Sequence, residues 1–153
     1  MKHLLVAFLS ATFAFTAAGA DDAADRAAIR QAALDYIESQ HEPDPSRMDK
    51  ALHAEMKKRT YWEKSDGTDY VMETSRDTML WVAENYNKDG TAFPTEPRKD
   101  IRILALDGRI ASVKLTADDW IDYLHLMKGK SGDWKIINVL WQFHDQSKQK
   151  DRK

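Results

Sequence analysis

Residues 101–143 read IRILALDGRIASVKLTADDWIDYLHLMKGKSGDWKIINVLWQF, and their period decides the fold. Apolar side chains recur every second residue through 101–106 and 110–115, and the two runs flank Asp107-Gly108, a strong short signal for a two-residue hairpin turn. A second pair of runs, 119–128 and 134–143, flanks Gly129-Lys130-Ser131-Gly132-Asp133. Four long consecutive strands paired as antiparallel hairpins follow.

Upstream the period changes to that of a helix. In residues 22–40, Ile29, Ala32, Ala33, Tyr36 and Ile37 make one apolar stripe, and Arg26, Arg30, Asp35 and Glu38 take the other face. Pro43 and Pro45 end that helix, because each lacks a backbone donor and restricts its predecessor. Ser46 and Asp49 open a short second helix carrying Met48, Ala51 and Leu52. Residues 56–62 and 70–72 read as two short strands around the turn Ser65-Asp66-Gly67-Thr68. A third helix starts at a capping box of Thr74 and Asp77, carries Met79, Val82, Ala83 and Tyr86, and stops before Gly90. Helices early and strands late give an α+β domain, in which a curled antiparallel sheet packs on the N-terminal helices as a cone. The mouth of such a cone can hold a ligand.

The amino terminus carries an address. Met1-Lys2-His3 precedes an apolar run over residues 4–15, then Ala18-Gly19-Ala20 and Asp21-Asp22. This is the pattern of a secretory signal peptide, residues 1–20, cleaved after Ala20. The apolar run is shorter than the roughly 20 residues a membrane-spanning helix needs. The expectation is therefore a periplasmic or secreted domain over residues 21–147, without membrane attachment, ending in a charged, frayed tail over 148–153. There is no cysteine, which excludes disulfides, thiolate catalysis and cysteine-ligated metals. A net charge of -2 with scattered Lys and Arg gives no basic stripe for nucleic acid.

The run Asp122-Tyr123-Leu124-His125-Leu126-Met127-Lys128, with Gly132-Asp133-Trp134-Lys135-Ile136-Ile137-Asn138-Val139-Leu140-Trp141, resembles the closing hairpin of the putative lumazine-binding family. That family lies within the nuclear transport factor 2-like, ketosteroid isomerase-like superfamily. His53-Ala54-Glu55-Met56-Lys57-Lys58-Arg59 and the helix over 75–82 extend the resemblance to essentially the whole chain after residue 20. The resemblance implies a cone, a pocket between the sheet and the first helix, and a homodimer formed through the open sheet face. It does not deliver a reaction, because the superfamily holds isomerases and dehydratases alongside binding and assembly domains.

Within that frame the candidate pocket residues are Tyr36, Trp81, Tyr123, His125, Asn138 and Trp141. Alternation puts Tyr123 and His125 on one face of their strand, with Asp122, Trp120 and Leu124 on the other. If the hairpin closes around Lys130 and Ser131, Tyr123 lies opposite Asn138 and His125 opposite Ile136. Isomerase or dehydratase chemistry would need a carboxylate base in an apolar cavity. Asp119 and Asp122 are the available acids, and neither has a clear claim. Scattered histidines give no metal-ligand spacing, and no phosphate loop or nucleophile turn is present, so no cofactor or metal is expected. The favoured reading is a binding domain for a small organic molecule. The alternatives are an isomerase or dehydratase and a dimeric assembly domain without a working pocket.

Overall fold

The structure, a computed structural model, describes residues 17–151, with side chains from residue 21 onward. The expected export signal lies almost wholly outside the described residues. Helix α1 (Ala17–His41) already runs through the expected cleavage point, and its first residues beyond that point, 21–24, are exposed. Its stripe is buried as read: Ile29, Ala33, Tyr36 and Ile37 are fully inaccessible.

Helix α2 (Pro45–Ala51) begins one residue earlier than the Ser46 reading. Asp44 is the N-cap, its carboxylate accepting from Arg47 N, and Pro45 occupies a first-turn position where a missing N–H costs nothing. Strands β1 (Leu52–Glu63) and β2 (Asp69–Ser75) pair as a hairpin whose turn places Gly67 at φ 84, a left-handed conformation open to glycine. Helix α3 (Arg76–Asn85) is capped by Ser75, which accepts from Thr78 N, in place of the expected Thr74. It buries Met79 and Ala83.

Strands β3 (Asp100–Asp107), β4 (Ile110–Thr116), β5 (Trp120–Lys128) and β6 (Trp134–Phe143) form the expected antiparallel run. The order across the sheet is β2-β1-β6-β5-β4-β3. All neighbours are antiparallel except β1 and β6, which run parallel. That pairing makes the six-stranded sheet mixed. Register shifts interrupt β1–β6, β3–β4 and β5–β6, and such bulges bend and twist a sheet.

The core lies between the inner sheet face and the helices. Val113 and Leu115 from β4, Leu124 and Leu126 from β5, and Ile136 and Val139 from β6 meet the α1 stripe and Met48 of α2. Burying each large apolar side chain contributes roughly 1.5–3 kcal/mol. At one end Trp134 donates from Nε1 to Asp25 at 3.0 Å and Lys128 pairs with Asp25 at 2.6 Å, tying α1 to the β5–β6 hairpin.

Residues 148–151, the part of the expected frayed tail within the described residues, are anchored. A 3-10 turn (Gln146–Lys148) follows β6, Gln149 is buried, and Lys150 bridges to Glu63. Polar groups of β1 and β6 that the sheet leaves unpaired find their partners in this segment.

Candidate functional site

Three side chains of unlike chemistry meet on the inner face. On β1 the inward positions are Met56, Lys58 and Thr60, all buried. On β5 they are Trp120, Asp122, Leu124 and Leu126. An inward lysine and an inward aspartate are each costly alone and become tolerable as a pair. Lys58 and Asp122 make that pair, Nζ to Oδ1 at 3.0 Å, with β6 between their strands. The lysine stem crosses β6 beside Trp141, whose ring centroid is 4.7 Å from Nζ.

Two further bonds fix the pair. Trp120 Nε1 donates to Asp122 Oδ2 at 2.8 Å, and Lys58 Nζ also donates to the Tyr36 hydroxyl at 2.8 Å. Burial pushes the Tyr36 phenol well above its ordinary value, and the charge of Asp122 adds to that push. Tyr36 is therefore a neutral phenol that accepts from the lysine.

Above this polar floor lies a cavity of about 230 Å³. Met79, Val82, Trp120, Trp141 and Phe143 give it apolar walls, with Gln40, Lys58, Thr74 and Thr78 as polar contributors. Asp122 is absent from the lining, because Lys58 and Trp120 stand between it and the open space. With both carboxylate oxygens already accepting, Asp122 is placed to hold Lys58 and Trp120 in position. It is not placed to take a proton from a substrate. Trp141 Nε1 is buried and has no acceptor among the described residues.

The loop after α3 packs beside the cavity residues Tyr86 and Trp120. Phe93 packs edge-on against His41, centroids 4.5 Å apart, and lies 5.6 Å from Tyr86 and 5.9 Å from Trp120. Asn87 holds the loop to α1 by donating to the His41 carbonyl at 2.6 Å. Burial, with the nearby Lys99 charge, holds the His41 imidazole below its ordinary pKa.

The structure brings together Tyr36, Asp122 and Trp141 of the residues singled out from sequence. It separates the others. Tyr123 and His125 do share a face, but it is the outer one, where Tyr123 is 43% exposed. The register also differs by two residues: His125 opposes Asn138 and Tyr123 opposes Leu140, because the hairpin closes about Ser131, with Lys128 opposite Trp134, and β6 then carries one extra residue in the bulge beside His125. Asn138 bonds to His125 at 3.3 Å and accepts from Arg59 at 3.1 Å, all outside the cone. Trp81 is 62% exposed, since a helix that buries Met79 and Ala83 must turn the residue between them outward. Asp119 sits in the turn before β5 with an exposed side chain 3.5 Å from Lys148. Lys58 was not singled out. Its signal was available, for period-two alternation from Met56 places it inward.

A family model described as "Putative lumazine-binding" matches residues 24–142. The chain belongs to this family. Its fold is that of nuclear transport factor 2-like proteins, as solved structures show. A protein of unknown function from Silicibacter pomeroyi superposes with a TM-score of 0.58 at 16% identity, covering 82% of this chain and 98% of its own. An NTF2-like protein with a cystatin-like fold from Novosphingobium aromaticivorans gives 0.60 at 10% identity, covering 84% and 88%. A ketosteroid isomerase-like protein from Erwinia carotovora atroseptica gives 0.50 at 12% identity, covering 78% and 95%. No curated protein matches the chain. At these identities the likeness of the chain to the solved structures is one of fold, and the chemistry rests on the side chains above.

Proposed function

We propose that this protein is an exported domain that binds a small organic molecule in the cavity between the sheet and helices α1 and α3. The observation that carries the reading is the wall composition: apolar side chains around a single lysine already neutralised by Asp122. Ligand sites combine apolar walls with a few fixed polar groups in this way. Because the lysine charge is balanced, a neutral acceptor such as a carbonyl fits better than an anion, which would leave net charge in a low-dielectric space.

The engagement of both Asp122 oxygens favours binding over isomerase or dehydratase chemistry. Export is supported by the leader over residues 1–20, and intact-mass analysis of the protein from its host tests it: a chain beginning at Asp21 is expected. Dimerisation through the outer sheet face is supported by Val71 and Leu140, which are 69% and 56% exposed there.

The test of binding is a thermal-shift screen of the wild type and Val82→Trp against a metabolite panel. A ligand at a hundredfold excess over its Kd stabilises the fold by about 2.7 kcal/mol. A melting-temperature rise in the wild type that is lost in the cavity-filled variant supports the reading. Equal shifts in both chains contradict it.

A further inference from the structure

A second chamber, of about 1180 Å³, adjoins the first. Lys64 and Asp66 of the β1–β2 turn bound it on one side, and Ser147, Lys148 and Lys150 of the C-terminal segment on another. Tyr86 and Phe143 belong to the walls of both chambers and so stand at their junction. The chemistry changes there. The inner space is nearly all apolar, whereas the outer one offers ammonium, carboxylate and hydroxyl groups.

The C-terminal wall is fixed by a specific set of bonds. Asp145 Oδ1 accepts from Ser147 N at 3.0 Å and shapes the turn after β6. Gln149 is 1% exposed; its Oε1 accepts from Phe143 N at 2.9 Å, its Nε2 donates to Thr60 Oγ1, and its carbonyl accepts from Glu63 N at 3.0 Å. Asp151 then donates from N to the Glu63 carbonyl at 2.9 Å and accepts from Trp62 Nε1 at 3.1 Å. One buried glutamine thus joins the end of β6 to β1 at the point where Phe143 enters the inner cavity. Its position makes this segment a wall of the site as well as the end of the chain.

We infer that the outer chamber is the second half of the ligand site, and that it takes the polar end of an amphipathic molecule whose ring-bearing apolar end sits in the inner cavity. The inference rests on the binding reading above. The inner space is smaller than the roughly 300–1,000 Å³ of pockets that enclose drug-sized ligands, so anything larger than a small ring system extends past Tyr86 and Phe143. A polar substituent that does so meets Lys150, Ser147 and Lys64 instead of apolar surface.

Two probes separate the halves: anilinonaphthalene sulfonate, which has aromatic rings and an anionic group, and naphthalene, which has rings alone. Val82→Trp fills the inner cavity; Ser147→Trp and Lys150→Glu alter the outer chamber at exposed positions. Thermal melts establish that each variant is folded. Val82→Trp is expected to weaken both probes by about tenfold or more, while each outer variant weakens the sulfonate by about tenfold and leaves naphthalene unchanged. If Val82→Trp weakens the sulfonate and neither outer variant does, the two-chamber inference is overturned and the binding reading stands. If Val82→Trp affects neither probe, the binding reading itself fails, and this inference with it.

Discussion

The ammonium of Lys58, in the wall of the inner cavity, and the carboxylate of Asp122 behind it, 64 positions apart in the chain, lie 3.0 Å from each other. The pair is a condition for a cavity in this place. Removing either partner strands a charge among apolar side chains, and replacing both by apolar residues of similar volume does not.

The first prediction follows directly. Lys58→Met or Asp122→Leu alone costs about 3–5 kcal/mol of stability, because an uncompensated buried charge remains. The double variant recovers most of that loss, short of the wild-type value by the roughly 1–3 kcal/mol of the buried Trp120 N–H that Asp122 no longer accepts from. Urea denaturation of the four chains of this cycle measures the coupling. Additive losses would show that the two side chains do not depend on each other.

Alkaline pH provides the second. The Tyr36 phenol is pushed above its ordinary value in the folded chain, so the fold holds its proton more tightly than the unfolded state does. The stability this contributes is fully present below about pH 10, the unfolded value, and is lost as pH rises from there through the folded value. Tyr36→Phe removes that alkaline decline, leaving a flatter curve above about pH 10. An equally steep decline in Tyr36→Phe would assign the effect to other groups.

The third concerns His41, whose folded pKa is held down by burial, with Lys99 next and Asp118, Glu38 and Glu42 opposing. A depressed histidine contributes stability above its unfolded value, about 6.5, and loses it as pH falls through the folded value. Phe93 rests on this ring, so acidification is expected to release the loop and change Trp120 emission. His41→Leu should keep the loop seated through that window, with only the carboxylate-dependent limb remaining at lower pH. Emission that shifts identically in both chains would refute this.

A fourth prediction addresses the C-terminal segment. Gln149→Ala leaves the Phe143 N–H without its acceptor, at about 1–3 kcal/mol for an unsatisfied buried group, while the Thr60 hydroxyl keeps its bond to the Tyr61 carbonyl. Hydrogen exchange at Phe143 should rise with the loss of stability. Unchanged protection there would mean that the segment contributes no anchoring.

Much of the architecture was legible in the sequence, and for local reasons. Asp107-Gly108 and the α1 stripe at Ile29, Ala33, Tyr36 and Ile37 are short-range patterns whose chemistry is complete within a few residues. The parallel pairing of β1 with β6 was not legible, because nothing near Lys58 signals a partner about Val139. The same limit governs the site. Alternation correctly placed Asp122 on the face of Trp120 and Leu124, yet which face met the helices depends on the whole sheet. Closure of the turn about Ser131 and the single-residue bulge beside His125 together moved Asn138 opposite that histidine and away from Tyr123. Gln149 looked like part of a charged tail because its partners, Thr60 and Phe143, are recognisable only once the strands are assembled.

The most direct measurement of the central claim is native mass spectrometry of the wild type and Val82→Trp after exposure to one metabolite mixture. The account predicts one small-molecule adduct per chain in the wild type and none in the variant. Adducts of equal mass and abundance on both chains, or on neither, would contradict it.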